Sequence, residues 1–476
     1  MPATALPANP AGRRAAMAQL AQAQPEELLA CSQTLALAAF HRAAARVPAY
    51  QTILRLAGLD PDRVRTPEDF QRLVPVTDKH TTFAAFSLPA LCQDGSLAGM
   101  KSALTSSGHS GIFAFGINTA EDEANAAQAV DFGLQYLFQV DERRTLLINA
   151  LPMGVKVPTV ATTLVETSVR EEMVIAAARK LSPYFEQTIL LAEGSFAKKI
   201  LEDGRAQGVD WAALHTGLIT GEETTGENWR TYIASLLGRD ADDEGRSPIY
   251  SSMGIAECGL SLFHETPETI HIRRLAHQDP HLRQLLFGAD ARTCPMLFIY
   301  SPLRTRVEIL DRQTRGEILL TMLNPGLKIP LIRYKPGDIG RLYTRQEVAD
   351  ALRRCDHPHE PLPAWKLPLL AIYGRGQHVL AQGVKVFPED IKEALYQDFS
   401  LAAAITGNFK LRNEDGGRAV VDLQLKPGVQ PAPELVRRFE NAAAAYIPAP
   451  LEPRFHAYAA CPFGMTVDYE RKFNYV

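Results

Sequence analysis

From Glu26 to Ala45, apolar residues recur at three- and four-residue steps, the spacing of one helical face, and predict a helix. Residues 1–25 are rich in Ala, Pro and Gln and are expected to be partly ordered at best. From Thr145 short apolar runs alternate with helical stretches. Leu146–Ala150, Thr188–Leu191, Gly217–Ile219 and Ile249–Ser251 read as strands; Ser195–Gly208 and Glu227–Gly238 read as helices, the first capped by Ser195. That alternation predicts an α/β layer with a largely parallel sheet. After Cys294 the strand candidates crowd together. Met296–Tyr300, Arg306–Leu310, Glu317–Thr321 and Ile339–Tyr343 predict a small antiparallel β unit. Beyond Gly374-Arg375 come a helix at Pro388–Asp398, strands near Ala402–Gly407 and Ala419–Leu425, a helix at Pro433–Tyr446 and a last strand at Arg454–Tyr458. This order fits a small α+β unit of about 100 residues.

Composition narrows the class. At roughly 150 residues per domain, 476 residues suggest two to four modules. Hydrophobic residues at 46% and charged residues at 22% are those of a globular protein. A net charge of −4 lacks the basic surplus that a dedicated nucleic-acid binder needs. No apolar run approaches the ~18 residues of a membrane span, and Arg13-Arg14 is not followed by the apolar core of a signal peptide. Cys31, Cys92, Cys258, Cys294, Cys355 and Cys461 form no CxxC pair, as expected of reduced cytoplasmic thiols. The expectation is a cytoplasmic, multidomain enzyme with no nucleic-acid or membrane partner.

Several chemistries are missing. No Gly-Lys dipeptide occurs, so there is no Walker A loop, and there is no GxGxxG, GxSxG or HExxH. Ser195-Phe-Ala-Lys198 fits SxxK, but no Lys-Thr-Gly follows it. Four segments remain. Thr105-Ser106-Ser107-Gly108-His109-Ser110-Gly111 packs hydroxyls and glycines into seven residues, which suits backbone and side-chain donors aimed at phosphate; a surface turn is the alternative. Ile329–Asp338 is a strand leading to a turn with one carboxylate, able to accept from ribose hydroxyls or from its own backbone. Gly374-Arg375 with Gly383–Ile391 is a glycine-punctuated strand–turn–helix. Lys472 lies near the C-terminus.

In their order, these segments resemble the adenylate-forming superfamily, and within it the phenylacetate–CoA ligase branch, with similarity to acyl-protein synthetases. The resemblance runs from about Val47 to the C-terminus. It includes Val47-Pro-Ala-Tyr50, Pro67–Lys79, the Thr105–Gly111 loop, Gly221-Glu222 with Trp229-Arg230, Met253-Gly254-Ile-Ala-Glu257, Arg333-Tyr334-Lys-Pro-Gly337-Asp338, Gly374-Arg375 and Lys472-Phe473. It implies a large N-terminal domain (1–375) of layered α/β subdomains plus a small β unit, and a small mobile α+β C-terminal domain (376–476). It also implies two steps. ATP activates an aryl or acyl carboxylic acid to an acyl-adenylate with release of pyrophosphate, and the acyl group then passes to a thiol of CoA or carrier-protein phosphopantetheine.

By the same resemblance Lys472 and Glu257 are catalytic, and Glu257 holds Mg²⁺. Thr105, Ser106, Ser107, Gly108, His109, Ser110, Gly111, Gly221, Glu222, Met253, Gly254, Asp338 and Arg375 would bind the nucleotide. Partners would be the small-molecule acid and an acyl or peptidyl carrier protein, and a homodimer is a permitted assembly. Five positions depart from the family pattern. His109 replaces a Thr and no lysine follows Gly111, Met253 replaces a Tyr, Ala256 a hydroxyl residue, Gln377 a hinge Asp, and Arg471 a Gly. An amine or hydroxyl acceptor, and a degenerate member that binds without turnover, therefore stay open as alternatives.

The resemblance places an apolar acid wall at Met153, Val155, Val157, Val160 and Leu164, with Glu166 and Arg170 at its edge. The Cys258–Cys294 stretch, with His264, His271, His277 and His281, matches metal-ligand spacing only at His277-x₃-His281, and its histidines read as polar, half-exposed side chains in an insertion.

Overall fold

The computed structural model describes residues 7–106, 111–221, 224–241, 247–310, 315–414, 417–462, 469 and 474–476. Strands β1 (Ser102–Thr105) and β2 (Phe115–Asn118) form an antiparallel hairpin. Eleven strands then build one sheet: β3 Thr145–Ala150, β4 Thr163–Glu166, β5 Gln187–Ala192, β6 Thr216–Thr220, β7 Ile249–Ile255, β8 Gly259–His264, β9 Met296–Tyr300, β10 Thr305–Ile309, β11 Gly316–Met322, β12 Ile339–Tyr343 and β13 Leu369–Ile372. Their spatial order is β10-β11-β12-β13-β9-β8-β7-β6-β5-β3-β4.

Pairs from β4 through β7 are parallel, and those from β7 through β10 are antiparallel. Every residue of β3 and β5 is buried, as parallel strands covered on both faces require. The crowded strands after Cys294 do form the expected antiparallel unit, joined edge-on to the parallel half through β7 and β8. The change of direction falls at a tight turn. The Cys258 N–H donates to Ile255 O at 2.8 Å, and Gly259 takes φ +112°, a conformation that side-chain-bearing residues avoid.

One face of the parallel half packs against helix Ala120–Phe138, where Val130 and Leu134 meet Leu147, Ile189 and Leu191. A Thr119/Asp122 capping box starts that helix. The other face holds helices Glu171–Lys180, Gly194–Ala206 and Glu227–Leu236. Helix Gly194–Ala206 begins differently from expectation. Its cap is Glu193, whose carboxylate accepts from the Ser195 and Phe196 N–H groups, while Ser195 lies inside the first turn.

The N-terminal expectation is overturned for the described residues, because Pro10–Gln22 is a helix. Asn9 caps it by accepting from the Gly12 N–H, Pro10 stands at the first helical position, and buried Arg13 forms an ion pair with Asp141. An Ala-rich face with one arginine carries little hydrophobic periodicity; what anchors the helix is a partner 128 residues away.

Beyond β13, β14 (Val379–Ala381) pairs with β15 (Val384–Val386), and β16 (Ile405–Glu414), β17 (Arg418–Leu425) and β18 (Glu452–His456) form a separate sheet. Helices Pro388–Gln397, Phe399–Ala404 and Pro433–Ala443 pack with it. The strand expected near Ala402 starts later, at Ile405. Asp398 accepts from the Ser400 and Leu401 N–H groups and so begins a helical turn first.

This last unit is tied to the main body. Glu393 accepts from the Glu227 and Asn228 N–H groups at 2.8 and 3.0 Å, supplying a carboxylate to the start of helix Glu227–Leu236. Lys198 Nζ donates to Ile405 O at 2.8 Å. The ammonium of Lys198 is pushed down to about 7 by burial, with Glu202 pulling the other way.

Candidate functional site

A cavity of about 470 Å³ opens where the parallel strands end, between the β1–β2 hairpin, the β7–β8 turn and the Gly374–Gln377 segment. Ligand sites in α/β sheets favour such carboxyl ends. Thr105, Ser106, Gly221, Met253, Gly254, Glu257, Asp338 and Arg375 all line it, drawn from segments up to 270 residues apart. Gly111, exposed at φ +77°, does not line it. Ser107, Gly108, His109, Ser110, Glu222 and Lys472 lie outside the described residues.

Each lining residue is held by its own element. Ser106 follows β1; its N–H donates to Ala114 O and its hydroxyl accepts from the Ala114 N–H, both at 2.9 Å, which closes the base of the loop. Gly221 follows β6, where a Cβ would meet Ser252 O at 2.8 Å, so the two strands approach too closely there for any side chain. Gly374 and Gly376, at φ +76° and +68°, flank Arg375. Met253 and Gly254 come from β7, and the departures Ala256 and Gln377 line the cavity as well.

Glu257 sits in the β7–β8 turn and is 6% exposed. Tyr334 donates its hydroxyl to Glu257 Oε1 at 2.7 Å, and Lys79 Nζ stands 3.7 Å from the same oxygen. Burial and then the Glu257 charge push the Tyr334 phenol far above its ordinary range, and burial with Glu257 does the same to the neighbouring Cys258 thiol. Two motifs deliver these partners by bonding to each other. The Thr77 N–H donates to Arg333 O at 3.1 Å, the Lys335 N–H to Thr77 O at 2.8 Å, and Arg333 Nη1 to Val74 O at 2.6 Å. Arg333 therefore acts as a clamp, with φ +44°, while Tyr334 and Asp338 of its motif reach the site. Lys79 had no role in the sequence reading. Its signal was its place in the Pro67–Lys79 segment, with no lysine after Gly111.

Histidine 264 also lines the cavity, with Nδ1 3.2 Å from Ser252 Oγ; burial, and then Arg304, push its imidazole down to about 4, so it is neutral at ordinary pH. Thr220 and Ser251, paired across β6 and β7, present buried hydroxyls that have no hydrogen-bond partner among the described residues. Asn474 and Tyr475 line the same cavity, and their backbone is bonded to the unit containing β16: the Leu411 N–H donates to Tyr475 O at 2.7 Å, and Lys410 Nζ donates to Asn474 O at 3.1 Å.

The expected acid wall is partly corrected. Met153, Val155 and Val157 line the cavity, but Val160 is 69% exposed, and Leu164 packs on the core beneath helix Ala120–Phe138. Glu166 is taken by Asn149 at 2.7 Å, and Arg170 by Glu172. Among the described residues no group of three or more His, Cys, Asp or Glu is placed to hold a metal ion, and Cys258 and Cys294 are buried thiols.

Behind the cavity, Arg230 and Arg273 sit among Glu227 and Glu265. Arg230 donates to Glu265 Oε1 at 2.7 Å and to Ile249 O at 2.6 Å, and Arg273 Nη1 lies 2.7 Å from Glu227 Oε1. Burial alone would raise the Glu227 carboxyl, but Arg230, Arg273 and Arg274 hold it down at about 2. Arg230, quoted in the sequence beside Gly221-Glu222, thus belongs to the interior.

No family model matches the chain, and no curated protein matches it in sequence. Solved structures do match. A 2-hydroxyisobutyryl-CoA ligase in the postadenylation state with R3-HIB-AMP aligns at TM-score 0.64 and 12% identity, over 95% of this chain and 88% of that one. An open conformation of that ligase with 2-HIB-AMP and CoA aligns at 0.52 and 13%, over 94% and 91%. The protein has the fold of the adenylate-forming ligases. That is the superfamily its motif order resembles. No helix among the described residues is long and apolar enough to cross a membrane.

Proposed function

We propose that the protein is an ATP-dependent acid-activating ligase of the phenylacetate–CoA ligase type, forming an acyl-adenylate and passing the acyl group to a thiol. The observation that carries this reading is the single cavity. It gathers Thr105 and Ser106, Glu257, Asp338 and Arg375 from four distant segments and continues into an apolar region. In the first step the acid's carboxylate oxygen attacks the α-phosphorus of ATP and pyrophosphate leaves. Two anions must approach each other, so cationic groups aimed at the developing charge lower the barrier most. Lys472 is assigned to bridge the carboxylate and the α-phosphate, and Asp338 to accept from the ribose hydroxyls with Arg375 beside it. Lys79 supplies, from another segment, the positive charge that is missing after Gly111.

The residues fit Mg²⁺ in one respect: a buried carboxylate, Glu257, borders the cavity, and this cation needs few protein oxygens when phosphates complete its shell. When bound, the ion would neutralise phosphate charge, and Tyr334 would keep Glu257 oriented. In the second step the thiol sulfur attacks the acyl carbon and AMP leaves. A second cavity of about 220 Å³ shares Thr224, Gly376, Glu389 and Lys392 with the first, offering the acceptor a separate approach. We assign the division of the chain to Arg375, between Gly374 and Gly376, with residues 376–476 moving as a unit between the steps.

The test is pyrophosphate release with ATP over a panel of aryl and acyl acids, followed by CoA or phosphopantetheine. Release with one or more acids is expected. Normal ATP binding with no release for any acid removes the ligase reading. The Lys472→Ala variant should lose adenylate formation yet still convert supplied acyl-adenylate to thioester; unchanged adenylation removes Lys472 from the mechanism.

A further inference from the structure

Helix Ala120–Phe138 and the ends of β3, β5 and β6 contribute only uncharged residues to the cavity, among them Val130, Gly133, Leu134 and Leu137 of the helix and Leu147 and Leu191 of the sheet. Every charged side chain lining it comes from elsewhere. A second carboxylate or an ammonium held against this wall would find no counter-ion on it among the described residues, which strongly disfavours such substrates.

Gly133 is the unexpected member. A glycine in a helix interior weakens the helix relative to alanine, so its presence calls for a reason. Elsewhere in this chain the reason is close packing: a Cβ at Gly204 would strike Trp211 at 2.4 Å, and one at Gly217 would strike Phe138 at 2.4 Å. At Gly133 a Cβ would meet nothing within 4 Å, and the residue lines the cavity. The space it leaves open is cavity space.

We propose that Gly133 sets the size of acid the site accepts. The substrate is a monocarboxylic acid whose extended, uncharged tail lies along helix Ala120–Phe138 and passes Gly133, in room that any side chain at that position would take. This rests on the acid-activating reading and adds the substrate class to it. Glycine there leaves room for the ligand, at the expense of helix stability.

The experiment is pyrophosphate release with straight-chain acids from propanoic to decanoic, with alanine and succinic acid as charged controls, for wild type, Gly133→Ala and Gly133→Leu. The readout is the ratio of kcat/KM for the longest acid to that for the shortest, which cancels any general loss of activity. Wild type should favour the longer acids over propanoic and over both controls. The ratio should fall in Gly133→Ala and by about 10- to 100-fold or more in Gly133→Leu. Gly133→Ala should melt no lower than wild type, which separates a narrowed pocket from a damaged helix. An equal ratio in all three proteins, or use of alanine or succinic acid at the rate of octanoic acid, overturns the proposal. Absence of release with every acid would instead sink the ligase reading. The same acids titrated calorimetrically into the protein then decide: length-dependent affinity lost in Gly133→Leu sustains the pocket assignment, and affinity indifferent to length or to the substitution ends it.

Discussion

Two buried clusters in this protein use glutamate to different ends. In the first, Arg230 and Arg273 are surrounded by Glu227 and Glu265, all at most 2% exposed at the side chain. Each carboxylate meets an arginine at 2.7 Å, and Glu265 also accepts from the Ser251 N–H at 2.8 Å. In the second, Glu257 takes one phenol and one lysine, the lysine at 3.7 Å and 19% exposed, on the wall of a cavity. In the first cluster both carboxylates are matched by arginine within the protein, and Arg273 Nε alone of its charged atoms is buried without a partner among the described residues. The second is open to whatever the cavity holds. Between these two clusters the difference is how closely each carboxylate is matched by a cation: at 2.7 Å in the framework, at 3.7 Å on the wall of the candidate site.

Breaking the closed cluster should have the largest effect on stability. Arg230→Ala leaves two buried carboxylates with Arg273 and, 3.6 Å from Glu227, the partly exposed Arg274, and a loss of about 3–5 kcal/mol is expected. Urea unfolding followed by circular dichroism measures it; a loss under about 1 kcal/mol would erase the distinction between the clusters. Glu257→Gln should show the opposite pattern. The partly exposed Lys79 stays solvated and unfolding changes little, while pyrophosphate release falls about 10²–10³-fold, the usual scale for one aimed electrostatic group. A Glu257→Gln variant that unfolds as readily as Arg230→Ala would place Glu257 in the framework.

The closed cluster also has a pH signature. The Glu227 carboxyl is held at about 2 against an ordinary 4.5. A depressed acid contributes stability that is fully present above its unfolded value and withdrawn as pH falls toward its folded one. Stability should therefore decline between about pH 4.5 and pH 2, and Arg230→Ala should make that decline shallower. Parallel slopes in wild type and variant would disconnect the pH response from this cluster.

What could be read from the sequence follows the same division. The sequence points to Glu257, Asp338 and Arg375, which the structure brings to one cavity, because each lies in a short motif with glycines that fix the backbone locally. The alternating pattern after Thr145 predicted β3, β5, β6 and β7, since buried parallel strands are unbroken apolar runs. Lys79 was hidden in function because its partner lies 178 residues on, brought near only when Thr77 pairs with Arg333. Helix Pro10–Gln22 is hidden because its anchor, Asp141, lies 128 residues from Arg13. Gly133 carries no signal in the sequence, since the meaning of a missing Cβ depends on what surrounds it.

The smallest effect tests the comparison most finely, because it removes a single hydroxyl on each side. Thr269, fully buried beside the closed cluster, accepts from the Thr266 N–H at 2.8 Å and donates to Thr266 O, so Thr269→Val should cost about 1 kcal/mol. Thr220 is just as buried, but its hydroxyl has no partner among the described residues and borders the cavity. An unsatisfied buried hydroxyl already carries its desolvation cost, so Thr220→Val should leave the unfolding free energy unchanged or raise it by up to about 1 kcal/mol. If that hydroxyl serves a ligand, the same variant should weaken binding of ATP or acid while the apoprotein stays as stable as wild type. Equal losses of stability at Thr269 and Thr220 would mean that the Thr220 hydroxyl is satisfied as fully as that of Thr269, and that an open hydroxyl on the cavity wall does not mark the candidate site.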